Sequence, residues 1–190
     1  RVGPVFIASA DPLSWLLTGG TNAHVTREAT SRFMANEYGA NDLLKFTDVA
    51  AAKVPAQSLY AAADHEPASS MRWRELLEPL GWGDELRVAL RDRTGVWGFL
   101  CLHRTAAEPA FTDADLRAVT AVVPYLAAAF RRTAAAAASA PSGAVGPGVI
   151  LLREDLTIDS VTGSAAECIE EFRETDPVHQ LPIPLAALAT

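Results

Sequence analysis

The sequence predicts an α+β fold: an antiparallel sheet flanked by helices, followed by a short strand–strand–helix segment near the C-terminal end. Three observations carry this. Gly83 to Arg104 has the pattern of a β-hairpin, Thr112 to Phe130 that of an amphipathic helix, and two further strands and two helical stretches precede them.

The hairpin is the clearest element. From Glu85 to Arg91 the residues alternate, with Leu86, Val88 and Leu90 on one face and Glu85, Arg87 and Arg91 on the other. That period marks a half-buried strand whose charged side faces water. Asp92-Arg93-Thr94-Gly95 supplies turn chemistry. Val96 to Leu102 is apolar on both faces, the pattern of a central strand covered above and below. Alternation places Trp97, Phe99, Cys101 and His103 on one face and Val96, Gly98, Leu100 and Leu102 on the other. Gly98 lowers strand propensity and marks close approach of another backbone or a ligand.

The following helix is announced by Thr112-Asp-Ala-Asp115, a loose capping box, with Phe111 and Leu116 placed to close a hydrophobic staple. Leu116, Val119, Val123, Leu126 and Phe130 recur at helical spacing. Pro124 is expected to kink the helix rather than end it, because the stripe resumes beyond it. Arg131 and Arg132 suit the C-terminal end of the dipole, and the alanines from Ala134 to Ala138 prolong the helix.

Upstream, Val2 to Ala8 and Trp15 to Thr18 are β-rich runs, with Ser9-Ala-Asp-Pro12 as their connection. Val25 to Tyr38 turns helical, with Ala29, Phe33 and Met34 (or Tyr38) on one side and Gly39 as a stop. Asn41 to Ala63 carries conflicting signals: Val54-Pro55 must be extended, and Ser58 to Ala61 has the makings of a short strand. Asp64 to Ser70 is a polar loop. A helix of about Ser70 to Leu80 follows, with Trp73, Leu76, Leu77 and Leu80 as its apolar side.

Beyond residue 138 the composition changes. Residues 139–148 are rich in small residues and breakers, as in a linker. Val149 to Leu152 and Leu156 to Val161 read as strands, and Ser164-Ala-Ala-Glu167 as a capping box opening a short helix. So small a unit cannot bury a full core of its own. The expected organisation is one domain over 1–138, a linker over 139–148, and a partial second module over 149–190.

The chain has 190 residues, of which 49% are hydrophobic and 21% charged, enough for one sizeable core. A net charge of −7 argues against direct nucleic-acid binding, which needs a basic face. Cys101 and Cys168 lie far apart in unlike contexts, so the expectation is no disulfide and a cytoplasmic protein. Neither a membrane span nor a signal peptide is visible. The sequence opens at Arg1 and enters a strand almost at once, the look of a piece of a longer protein.

WGFLCLHR (97–104) followed by FTDADLRAVTAVVPYLAAAFRR (111–132) resembles a GAF-type sensor domain, more narrowly that of actinobacterial LuxR-type regulators. The likeness extends upstream to NEYGANDLLKF (36–46) and SMRWRELLEPLGWGDELRVAL (70–90). Downstream, GPGVILLREDLTIDSVTGSAAECIEEF (146–172) is similar to the opening of a PAS-like segment in the same proteins. The resemblance implies a GAF-like antiparallel sheet of about six strands, a small-molecule pocket on one sheet face, and dimerisation through flanking helices. It also implies a DNA-binding helix-turn-helix in the parent protein, which this sequence does not contain.

The candidate ligand-binding set is Phe33, Tyr38, Phe46, Trp73, Leu77, Trp82, Trp97, Phe99, Cys101 and His103. Ligand pockets are mostly apolar with a few polar anchors, although each of these residue types is also ordinary core. Cys101 and His103 share a strand face, but i,i+2 neighbours seldom aim at each other, so a nucleophilic pair is disfavoured. His24, His65, His103 and His179 are scattered, without metal-binding spacing. No phosphate-cradling glycine loop and no G-x-S-x-G elbow occur. Val122, Tyr125 and Ala129 lie off the main stripe of the long helix and form the candidate dimer interface.

The expected function is therefore a ligand-sensing and dimerising region, a homodimer without catalytic residues, metal or cofactor. Its ligand would be a small apolar or amphipathic molecule, and any contact with DNA would run through a domain absent from this chain. A purely structural dimerisation module and, less favoured, a small enzyme using Cys101 and His103 are the alternatives.

Overall fold

The computed structural model describes residues 5–10, 12, 17–22, 27–139, 148–153, 157–163, 165–167 and 169–170. Expectations placed on Val2, Trp15, Val25, Cys168, Ser164, most of the linker and the stretch beyond 170 lie outside them.

The chain opens with the antiparallel pair β1 (Val5–Ala10) and β2 (Leu17–Asn22). Helix α1 (Arg27–Met34) continues as a π-helical turn, Ala35–Gly39. Next come α2 (Phe46–Ala51), the short strand β3 (Ala56–Ser58), α3 (Leu59–Ala62) and a second π-helical turn, Trp73–Leu77. The long hairpin β4 (Trp82–Asp92) and β5 (Gly95–Thr105) leads into α4 (Asp113–Ser139). A separate two-stranded sheet, β6 (Ile150–Leu152) with β7 (Ile158–Val161), follows.

Five strands form the main sheet in the order β2-β1-β5-β4-β3, each pair antiparallel. β5 is thus the central strand, as its two apolar faces require. One face packs Leu86, Val88, Leu90, Leu100 and Ala56 against Val123 and Ala127 of α4. The other packs Ala89, Phe99 and Cys101 against Ala29, Met34, Phe46, Val49 and Leu77 of the intervening helical segments. The result is a sheet between a single long helix and a layer of short helical pieces.

α4 begins as its sequence dictates. The Thr112 amide donates to Asp115 Oδ2 at 2.8 Å and the Asp115 amide to Thr112 Oγ1 at 3.3 Å, closing the capping box. Phe111 and Leu116 meet in the same apolar cluster. The helix runs through Pro124 and the alanines to Ser139. Gly98 is as close-packed as expected: a Cβ there would lie 2.4 Å from the Ala8 carbonyl oxygen of β1 and 3.0 Å from the Phe130 ring.

Four expectations are corrected. The charged face of β4 does not meet water: Glu85 and Arg87 are buried, and Arg91 donates to the Ala50 and Lys53 carbonyls at 2.6 and 2.9 Å. Alternation shows that a strand has two unlike faces, not which of them the rest of the chain covers. Trp97 does not share a face with Phe99. Arg91 pairs with Val96 and Leu90 with Gly98, so Trp97 is a bulge residue without a cross-strand partner. The extra residue shifts Val96 to the Phe99 face and Trp97 to the α4 face, where its indole N–H donates to Asp92 Oδ1 at 3.2 Å. The strand expected over Ser58 to Ala61 ends at Ser58, whose hydroxyl accepts the Ala61 amide at 3.3 Å and caps α3. Leu80, expected on an apolar helix side, is 37% exposed in the turn beyond the second π-helical stretch.

Candidate functional site

Between the sheet and its layer of short helices lies a buried charge network that no single motif announces. β4 contributes Glu85 and Arg87, the first π turn Asn36 and Glu37, and the approach to the second π turn Arg72. Arg87 Nη1 donates to Glu37 Oε2 at 2.6 Å and to the Leu44 carbonyl at 3.1 Å. Arg87 Nε lies 3.1 Å from Glu85 Oε1, and Arg72 Nε donates to Glu85 Oε2 at 2.9 Å. Arg72 Nη1 reaches the Leu43 carbonyl at 3.1 Å and Asn36 Oδ1 at 3.4 Å. Two guanidinium groups thus meet two carboxylates in alternation: Glu37, Arg87, Glu85, Arg72.

The backbone around them is unusual. Two π-helical turns flank the network, and π turns are rare and concentrate at functional sites. Leu44, whose carbonyl faces Arg87, holds a left-handed backbone with φ 54°, a conformation costly for a side chain of that size. Asp42 organises the same loops. Its carboxylate accepts Asn36 Nδ2 at 2.8 Å, the Leu43 and Arg72 amides at 2.7 and 2.6 Å, and the Met71 amide and Ser70 hydroxyl, both at 3.1 Å. Burial tends to raise the pKa of this carboxyl, but the Arg72 amide and the other donors outweigh it and hold it below its ordinary value.

Burial likewise works against the charge on Glu85, yet Arg87 and Arg72 on either side keep its pKa well below the usual carboxylate range. Desolvation would weaken the Arg87 cation, and Glu85 with Glu37 reverses that, raising its pKa. The Arg87 guanidinium carbon also sits 4.4 Å from the Phe46 ring centre and 5.4 Å from that of Phe33.

All of the ten candidate ligand-binding residues except Trp97 lie on this side of the sheet. Phe46 and Phe99 are buried and stacked, with ring centres 4.3 Å apart. Leu77 and Cys101 are buried in the same cluster. Phe33, Tyr38 and Trp73 are half-buried at its rim, joined by Leu43. The Tyr38 hydroxyl accepts the Leu17 amide at 3.3 Å, and burial raises its pKa. Trp73 Nε1 donates to the Gly83 carbonyl at 3.3 Å. The Trp82 and His103 rings meet at a tilt with centres 4.1 Å apart, and His103 Nε2 stands 3.6 Å from Glu85 Oε1.

Cys101 is not poised as a nucleophile. Burial, reinforced by Glu85, pushes its thiol well above the ordinary value of 9.0. Among the described residues, no group of three or more His, Cys, Asp or Glu side chains is arranged to hold a metal ion. Among them, no helix is long and apolar enough to cross a membrane. On α4, Tyr125 is 77% and Val122 46% exposed, while Ala129 is half-buried.

Asn36, Glu37, Asp42, Ser70, Arg72, Glu85 and Arg87 were not apparent as site residues from the sequence. The available signal was Glu85-x-Arg87 on a strand beside the fully apolar β5, since what covers both faces of one strand extends over the strand paired with it.

Compared with known protein families, residues 15–130 match the GAF domain. No curated protein and no solved structure matches the chain.

Proposed function

The chain belongs to the GAF family over residues 15–130, and from that premise we propose that it is the small-molecule-sensing region of a regulatory protein, with the ligand held between the sheet and its layer of short helices. The observation that carries this reading is the buried network on that face, set between two π turns and a left-handed Leu44 and rimmed by half-buried aromatic side chains. A face meant only to fill space is built more cheaply from apolar residues, because desolvating ion pairs commonly costs more than their attraction returns.

The finer assignment is a cytoplasmic LuxR-type regulator without enzymatic activity. In it, residues 1–138 sense and dimerise, 139–148 link, and 149–190 open a PAS-like segment leading to a DNA-binding domain. The described hairpin β6–β7 with a helical turn after it supports the strand–strand–helix order of that segment. The burial of Cys101 supports the absence of thiol catalysis. A second reading, a structural dimerisation module without ligand, draws support from the close Phe46–Phe99 stack.

The test is thermal unfolding and native mass spectrometry of the protein against fractionated small-molecule extract of the producing cells. The sensing reading expects at least one fraction to raise the unfolding temperature and add a discrete mass. If every fraction leaves both unchanged, the structural module replaces it.

A further inference from the structure

Each guanidinium of the buried network retains donors that no described acceptor serves: Nη2 on Arg72, and both Nη2 and Nε on Arg87. Both side chains are fully buried, Arg72 at 1% and Arg87 at 0% exposure. Buried donors without acceptors are costly, more so on charged groups, and are rare in native proteins. In a planar guanidinium Nη2 lies on the same edge as the Nε–H. Glu85 faces that edge of both arginines: its Oε2 accepts from Arg72 Nε at 2.9 Å, while its Oε1 lies 3.1 Å from Arg87 Nε as an ion pair without a hydrogen bond. The unserved donors therefore flank the same carboxylate, from opposite partners.

Charge decides what they await. Glu37 and Glu85 already balance Arg72 and Arg87, and Asp42 adds a further carboxylate at the Arg72 backbone. An anionic ligand would add a charge to a set whose arginines are already balanced, with only His103 of the described network, 3.6 Å from Glu85, as a further titratable cation. A neutral acceptor satisfies the donors without that penalty. The rim adds flat apolar surface from Phe33, Tyr38 and Trp73, which suits a planar body. Resting on the sensing reading above, we propose that this site takes a neutral, planar, predominantly apolar molecule whose carbonyl oxygen accepts from Arg72 Nη2 and Arg87 Nη2.

The test uses the whole chain, labelled with ¹⁵N-arginine, and four probes of matched size: acetophenone and benzamide as neutral acceptors, ethylbenzene without an acceptor, and benzoate as the anion. Guanidinium resonances of Arg72 and Arg87 report contact, and the change in tryptophan fluorescence that is lost in Trp73→Phe reports occupancy of the rim. Acetophenone and benzamide are expected to shift both guanidinium signals and to bind at least about 10-fold more tightly than ethylbenzene, since a hydrogen bond to a charged donor is stronger than one between neutral groups. Benzoate is expected to bind more weakly than benzamide. Arg72→Lys, which keeps the cation and removes Nη2, is expected to erase that preference. If this variant fails to fold, the wild-type guanidinium shifts decide alone.

Equal binding of ethylbenzene without guanidinium shifts overturns the acceptor assignment while leaving a pocket in place. Tightest binding by benzoate overturns the neutral class. Failure of all four probes overturns the proposal, and a positive cell-extract fraction in the same preparation shows that the sensing reading survives it.

Discussion

Asp84 and Glu85, neighbours on β4, send their buried carboxylates to opposite faces of the sheet. Glu85 joins Arg72 and Arg87 under the short helices. Asp84 accepts the Phe111 amide at 2.9 Å at the entrance to α4, the Tyr60 amide at 3.0 Å, and the Ser58 hydroxyl and Glu85 amide, both at 2.8 Å. One dipeptide therefore fastens the candidate site on one side and the start of the long helix on the other. A shift of β4 on accommodating a ligand would reach α4 through Asp84 without an intervening flexible segment.

Replacing Asp84 exposes how much rests on it. Asp84→Ala leaves the buried Phe111 amide and the part-buried Tyr60 amide without their acceptor and frees the start of α4. With hydrogen bonds to a charged acceptor contributing about 1.5–3 kcal/mol each, a loss of about 3–5 kcal/mol is expected. Urea unfolding measures it; a loss below about 1 kcal/mol would show that α4 docks without this anchor.

Glu85 predicts a pH dependence. Its folded-state pKa lies well below the ordinary value of 4.5, because Arg87 and Arg72 outweigh the effect of burial. A depressed carboxyl contributes stability that is present above the unfolded pKa and drains away as pH falls through the folded one. The contribution is thus whole at pH 6 and declines below about pH 4.5, the unfolded value. Glu85→Gln should be less stable at pH 7 by about 3–5 kcal/mol, since it leaves two buried cations short of a partner. Its stability should also fall less steeply between pH 5 and about 2. Parallel curves for variant and wild type would remove Glu85 from the acid transition.

Local signals made much of this fold legible. The hairpin, the capping box at Thr112 and Asp115 and the α4 stripe all follow from residues a few positions apart, and they appear where expected. Gly98 told of a close backbone because no other residue fits against Ala8. What stayed hidden depends on contacts far apart in sequence. Glu37 meets Arg87 across fifty positions and Arg72 meets Glu85 across thirteen; only the tertiary fold turns these from surface charges into a buried set. The Trp97 bulge was hidden for another reason. One inserted residue reverses every face assignment on its far side, and the apolar run Val96 to Leu102 accepts either register.

Cys101 should be inert while the protein is folded. Burial and Glu85 keep its thiol protonated, and thiolate is the reactive form. In a Cys168→Ser background at pH 8, a disulfide-exchange reagent is expected to label Cys101 only as fast as the domain opens. Labelling at the rate of a free thiol would place the side chain in contact with solvent and revive a catalytic reading.

Gly98→Ala tests the closeness of β1 and α4 to the central strand. The added methyl would overlap the Ala8 carbonyl at 2.4 Å, and that obstacle is backbone, which yields less readily than a side chain. Overpacking of this kind costs about 1–3 kcal/mol, and the backbone clash puts the expected loss at the upper end. Gly39→Ala is the control, because a Cβ there has nothing within 4 Å. Equal unfolding temperatures for the two variants would mean that β1 can move away from β5 at little cost.

The exposed side of α4 predicts self-association. Tyr125 and Val122 stand in solvent beside a stripe already committed to the sheet. The helix, 27 residues and so about 40 Å long, runs on into exposed alanines. Exposed apolar side chains aligned on one helix are what a symmetric helix–helix contact uses. Val122→Glu together with Tyr125→Lys should leave the far-ultraviolet circular dichroism unchanged, since neither side chain packs on the sheet. Sedimentation velocity should show the wild type as a dimer at micromolar concentration and the double variant as a monomer, with at least a 10-fold weaker dimer constant. A wild type that sediments as a monomer at every concentration would remove this face as a self-association surface.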